Sequence, residues 1–331
     1  FKKISNFILE NSSIIQINSQ IINDLDVYLS FASIAKENNY VKPTLTNNQI
    51  IEIKDSRHAV IEQIISSDKK FISNDLFLSS NESQIHIITG PNMAGKSTFL
   101  RQIGLIVIMA QIGCYVPASI AKIGIVDKLF TRVGASDNLL EGESTFMVEM
   151  IEAANILNNT TKKSLILFDE IGRGTSTYDG LSIAWSIVEY LHNNKELQSR
   201  TIFATHYHEL TELQNKLDRV FNFNISVKEI DEQIIFLRKI NQGSSDRSYG
   251  INVAHMAGIP AEVVERSHQI LNQLINKNSL NTHSIQENNI TFEKKKSIEY
   301  KILSELKKIN PDKLSPIEAL NLIYSIKKNF E

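Results

Sequence analysis

A chain of 331 residues that is 42% hydrophobic can bury one substantial core and still carry appendages. Its 35 Lys+Arg nearly cancel its 37 Asp+Glu, for a net charge of -2, so it lacks the basic surplus of a domain that grips duplex nucleic acid by itself. A single cysteine excludes an internal disulfide framework and fits life inside the cell.

The opening FKKISNFILENSSII has neither the apolar core nor the small-residue cleavage site of a signal peptide. It starts on Phe rather than Met within a helical pattern, so the chain reads as a piece of a longer protein. Residues 1–39 read as helical, with Ile14, Ile17, Ile21, Leu25, Tyr28 and Leu29 at helical spacing. Pro43 ends that section, and a short strand follows around Ile50 to Ile53, with a loop at Lys54 to Arg57. From Gln84 to about Thr205 the pattern is strand, loop, helix, repeated. Its strands are IHIIT (85–89), SLILF (164–168) and TIFAT (201–205). Such alternation predicts an α/β fold with a mostly parallel central sheet flanked by helices. The most apolar stretch, Ile103 to Ala110, is too short to span a bilayer.

Val220 to Val227 and Gln233 to Arg238 flank a turn at Asp231–Glu232 and read as a hairpin. Two helical stretches come next, about 251–257 and 260–276, with a turn at Gly258–Ile259–Pro260 that suits proline in a first helical turn. Residues 277–300 are rich in Asn, Ser and Lys and read as linker. Ser315-Pro316-Ile317-Glu318 has the capping-box spacing and leads into a last helix.

The chemistry concentrates in three places. Gly90-Pro91-Asn92-Met93-Ala94-Gly95-Lys96-Ser97 fits the P-loop pattern, directly after the strand IHIIT and before the helix that starts at Thr98. The backbone must curl tightly there so that its N–H groups point at phosphate oxygens, hence glycine at both ends. Lys96 supplies charge for the β- and γ-phosphates, and the Ser97 hydroxyl is a ligand for Mg²⁺. The apolar strand SLILF then ends in Asp169-Glu170. In such a sheet those carboxylates fall beside the P-loop, Asp169 on the metal side and Glu170 as the group that polarises an attacking water. Finally TIFAT runs into His206, whose neutral imidazole can bond the γ-phosphate or that water.

Together these elements resemble ABC-type ATPases, and the wording between them narrows the match. GPNMAGKSTFLRQ, FTRVGASDNL, STFMVEM, DEIGRGTSTYDG and FATHYHEL resemble the MutS family of DNA mismatch-repair proteins in order and approximate spacing. The signature LSGGQ of ABC transporters is absent, with STFMVEM in its place.

The resemblance implies ATP and ADP as ligands, Mg²⁺ as cofactor, and a site completed by a second copy of the chain. It makes Ser144 the residue that reaches the partner's γ-phosphate, with a bland alternative as helix N-cap. Residues 172–179 become the loop linking the two sites, Asn92 a γ-phosphate contact and Phe71 the aromatic under adenine, though physics alone would make Phe71 core. Glu143, Asp246 and Arg247 depart from the family's wording.

By the same resemblance, residues 1–45 are the end of a lever and 46–242 the ATPase domain. Residues 243–276 are a helix-turn-helix for dimerisation rather than for reading DNA, 277–310 a linker and 311–331 an assembly helix. Implied partners are a homodimer mate, mismatched duplex DNA held by domains absent from this chain, and a MutL-type repair protein. Asn289 to Phe292 faintly echoes a sliding-clamp-binding peptide but lacks its usual Gln and reads as linker. The implied location is the bacterial cytoplasm. Two rival readings are a nucleotide-gated assembly module with little turnover and an ABC-like ATPase serving recombination.

Overall fold

The computed structural model describes residues 1–65, 70–91, 94–133, 145–230, 233–244, 249–274 and 317, with only the backbone for 229, 230 and 233. The apolar spacing at the start of the chain produces two helices, α1 (Lys2–Glu10) and α2 (Ser12–Glu37), broken at Asn11. Neither has a buried residue, and Ile14, Ile17, Ile21 and Leu25 each stay more than half exposed. Arg57 ties down the end of α2: its guanidinium donates to Asn38 O (3.1 Å) and pairs with Glu62 Oε2 at 2.6 Å.

Next come β1 (Thr44–Thr46), β2 (Ile50–Ser56), α3 (Ile61–Ile64), β3 (Asn74–Ser79), β4 (Ile85–Thr89), α4 (Lys96–Gln111), β5 (Ile120–Gly124) and β6 (Leu129–Arg132). The loop expected at Lys54 to Arg57 is corrected, because β2 continues to Ser56. Lys54 pairs with Ile120 of β5 and Ser56 with Asn74 of β3, while an irregularity between them sets Asp55 at φ +49° with its N–H donating to Asp75 Oδ1 at 2.8 Å. The rest of the first unit is α5 (Thr145–Asn159), β7 (Leu165–Asp169), α6 (Thr177–Asn193), β8 (Arg200–Thr205), a 3-10 turn at His208–Asn215, and the hairpin β9 (Val220–Ile230) and β10 (Gln233–Gln242).

Four strands make one sheet in the order β1-β5-β2-β3, and six make the central sheet in the order β10-β9-β4-β8-β7-β6. In the central sheet β9, β4, β8, β7 and β6 run parallel and β10 is antiparallel to β9, which is the mostly parallel α/β architecture expected. Every residue of β4 and β8 is buried, as strands covered on both faces must be. Alternation then sorts the side chains. Ile88, Leu165, Leu167 and Ile202 face a core shared with α4 and the smaller sheet. Ile85, Ile87, Ile166, Phe168 and Phe203 face a second core under α5, α6 and the 3-10 turn.

Arg200, at the bottom of β8, is wholly buried and donates to Gly124 O and Ile125 O at 3.0 and 3.2 Å, stapling the two sheets. Burial lowers its pKa to about 10, and the carbonyls it caps lose their solvent in exchange for a cation.

Ile251 opens a second unit, of which residues 251–274 and 317 are described. Helix α7 (Gly250–Met256) leads into it; Gly258 turns at φ +87°, and residues 261–274 are helical. Among the described residues no helix is long and apolar enough to cross a membrane.

Candidate nucleotide site

All three sequence elements emerge at the C-terminal ends of parallel strands, the edge where open α/β sheets bind ligands. Gly90 (φ +141°) and Gly95 (φ +108°) lie in backbone regions that only glycine adopts freely, so the chain can turn out of β4 and straight into α4. Between them Ala94 is buried and its N–H donates to Pro91 O at 3.1 Å. Asn92 and Met93 lie outside the described residues, as does Ser144.

Lys96 is only 1% exposed. Its ammonium donates to Gly90 O and stands 3.6 Å from Glu170 Oε1. Burial pulls its pKa down, while Glu170 and Asp169 push the other way and favour the charged form. The strand β8 separates β4 from β7, so the carboxylates reach the P-loop from two strands away. Lys96 spans that gap with its long side chain.

Asp169 is the last residue of β7 and Glu170 turns sharply at φ +56°, its N–H donating to Ala204 O at 2.9 Å. Arg173 Nη1 holds the other Glu170 oxygen at 2.8 Å. Burial raises the Asp169 pKa, and a hydrogen bond from Ser97 works against it. Asp169 Oδ1 is shut off from solvent and makes no hydrogen bond among the described residues. A buried carboxylate oxygen without a donor, next to a serine hydroxyl, is the donor set of a hard divalent cation. Asp169 and Ser97 therefore fit Mg²⁺. No group of three or more His, Cys, Asp and Glu among the described residues could hold a metal alone, which suits an ion otherwise ligated by phosphate and water.

His206 follows β8, exposed at its edge, with its ring 4.1 Å from that of Tyr207. Partial burial lowers its pKa, Glu170 counteracts, and Arg173 and Lys96 lower it further, so the imidazole is neutral at pH 7 and lies in the field of the other site groups. Phe71 is half-buried in a cavity of about 200 Å³ that it lines with Ile61, Ile65, Gly95, Thr98 and Arg238. The aromatic and the start of α4 thus share one hollow.

Sequence reasoning missed Arg238 and a buried carboxylate on α5, Glu149. Arg238 sits in a bulge of β10 at φ +54°, which no local pattern announced. Glu149 did leave a signal: it shares the buried face of α5 with Ala153 and Ile156, at helical spacing. A charge on an apolar stripe is the anomaly to look for.

A glycine-bracketed turn feeding a helix, with a buried lysine facing strand-end carboxylates, defines a P-loop α/β nucleotide-binding protein. Comparison with known proteins narrows the class. The family model described as MutS domain V matches residues 86–275, and that of the DNA mismatch repair protein MutS C-terminal region matches 295–329. The chain is 52% identical over 325 residues to the DNA mismatch repair protein MutS of Bacteroides thetaiotaomicron, covering 95% of this chain and 38% of that protein. It is 54% identical over 284 residues to that of Clostridium botulinum strain Okra (85% and 30%), and 47% over 350 to that of Methanosarcina acetivorans (99% and 39%). The chain belongs to the MutS family of DNA mismatch repair proteins, and it spans less than two-fifths of the length of these curated relatives.

Proposed function

We propose that the chain hydrolyses ATP to ADP and phosphate at a site shared by two copies, and that the cycle resets the DNA-holding state of the parent protein. The observation that carries this reading is the meeting of Lys96 and Glu170, 3.6 Å apart, beside the unsatisfied oxygen of Asp169. Adenine stacks on Phe71 in the hollow beside Gly95 and Thr98, and the phosphates lie over the backbone N–H groups from Gly90 to Ser97. Asn92 and Lys96 contact the γ-phosphate. Mg²⁺, held by Ser97 and Asp169, supplies charge neutralisation on the phosphate oxygens.

Glu170 accepts the proton of a water whose oxygen attacks the γ-phosphorus, the bond to the bridging oxygen breaks, and ADP leaves. His206 orients that water or the γ-phosphate. In the structure Glu170 is engaged by Lys96 and Arg173. Phosphate draws Lys96 away and frees an oxygen for the water. Ser144 of the second copy closes the site from across the interface, and the second helical unit strengthens that dimer. The mismatched duplex, the MutL-type partner and any sliding clamp act through the parent protein in the cytoplasm.

The test compares ATP binding with turnover in wild type and Glu170→Gln. Unchanged affinity with turnover lowered on the order of a hundredfold or more fits a polarising carboxylate. Wild-type turnover in the variant would leave only a nucleotide-binding module. Ser144→Ala should likewise cut turnover in chains that still dimerise, and normal turnover there would remove the shared site.

A further inference from the structure

Helix α5 is wedged against the turn that follows Glu170, and one side chain makes the joint. Glu149, 7% exposed, projects from the buried face of α5 and its Oε1 accepts the Gly172 N–H at 2.5 Å. Its other oxygen lies 3.6 Å from Arg132 Nη2, at the end of β6. Arg132 is 6% exposed and also pairs with Glu152 on the outer side of α5 at 2.9 Å. From the opposite side the Tyr207 hydroxyl donates to Gly172 O at 2.9 Å, and burial raises its pKa so that the donor proton stays on.

The turn is held as closely by packing. Gly172 has φ +90°, and a Cβ there would overlap Gly180 at the start of α6. One at Gly174 would come within 3.0 Å of Phe146 Cβ in the first turn of α5. The backbone N–H and C=O of Gly172 are both held by side chains, one from α5 and one from beyond β8.

We propose that Glu149 is a positioning residue for hydrolysis: by holding the Gly172 N–H it fixes the Glu170 turn to α5, so that Glu170 presents its carboxylate only when α5 is seated. The inference rests on the ATPase reading given above. It assigns Glu149 no contact with nucleotide. It also gives α5, whose N-terminal side is where Ser144 would meet the partner copy, a direct mechanical link to the water-polarising group of its own subunit. Seating of that helix on the partner's nucleotide would thereby be felt at the Glu170 of the same chain.

A buried N–H robbed of its acceptor must find water or move, and either outcome displaces the turn. A carboxylate misplaced by even an ångström is a poor base while phosphate binding is untouched. Glu149→Ala should therefore lower kcat on the order of tenfold or more, with ATP affinity held within about twofold. Glu149→Gln keeps an acceptor oxygen for Gly172 and should restore most of the rate. Glu149→Asp is a methylene shorter, cannot serve Gly172 and Arg132 together, and should behave like the alanine variant; it carries the test if that variant does not fold.

The experiment is kcat and equilibrium ATP binding for these three variants and wild type, with Glu170→Gln as the blank. Near-normal kcat in both Glu149→Ala and Glu149→Asp, a loss of affinity that matches the loss of rate, or a Gln variant as slow as Ala would each overturn the proposal. Wild-type turnover no higher than the Glu170→Gln blank would instead defeat the ATPase reading, and this inference with it.

Discussion

Lys96 shows what burial demands of a single residue. An ammonium that is 1% exposed needs an anion, and the protein supplies Glu170, 3.6 Å away, with a backbone carbonyl. Phosphate is the better partner, so Lys96→Met, which keeps the volume and removes the charge, should weaken ATP binding roughly a hundredfold while the fold persists. Calorimetric titration with ATP reads it directly. His86 makes a different case. Its Nε2 lies 2.8 Å from Ser83 Oγ, its ring stacks on Phe223 at 4.3 Å, and burial lowers its pKa to about 3. Since the folded value lies below the unfolded one of about 6.5, the stability contributed by neutral His86 is complete above pH 6.5. It declines as the pH falls toward 3, by up to about 1.4 kcal/mol per pH unit, because only the unfolded chain takes up the proton. Urea midpoints from pH 7 to pH 4 should therefore fall more steeply for wild type than for His86→Gln; parallel curves would mean that His86 is not the group responsible.

Among the elements, the turn between β7 and α6 is packed too closely for added side chains. A methyl at Gly180 would collide with Gly172 O and the Tyr207 hydroxyl, so Gly180→Ala must push the turn off Glu149 or push α6 off the sheet. We expect it to cost about 2 kcal/mol or more by thermal melting and to slow ATP turnover beyond what the loss of folded protein explains. The same region shows which features were legible in the sequence. The P-loop could be read because glycine, lysine and serine stand in chain order and the strand and helix around them have clean periods. Asp169 and Glu170 could be read because an apolar strand must end somewhere polar. The role of Glu149 could not, since its partner Gly172 lies 23 residues away and only the fold brings them together. The short strands β5 and β6 were missed for a related reason: β5 owes its existence to pairing with β1 and β2, far back in the chain. Lys54 to Ser56 read as loop because side-chain polarity says nothing about pairing with distant strands, Lys54 with β5 and Ser56 with β3 across a bulge at Asp55.

The whole molecule presents an ATP-type site whose proposed chemistry needs a second copy. Each copy would hold Lys96, Ser97, Asp169, Glu170 and His206 around its own nucleotide and lend Ser144 to the other. Helices α1 and α2, with no buried residue and a row of exposed Ile and Leu, contribute nothing to that site, and Arg57 holds their end to the strand that precedes α3. The near-neutral charge of -2 adds no net repulsion between copies beyond a small one. The most direct test of the account is steady-state ATP hydrolysis as a function of protein concentration, with Glu170→Ala as the blank. Specific activity that rises with concentration and vanishes in the variant is what a shared site predicts. Flat specific activity from a chain that keeps a monomer's mass at every concentration would contradict it, and Ser144 would then be no more than a helix cap.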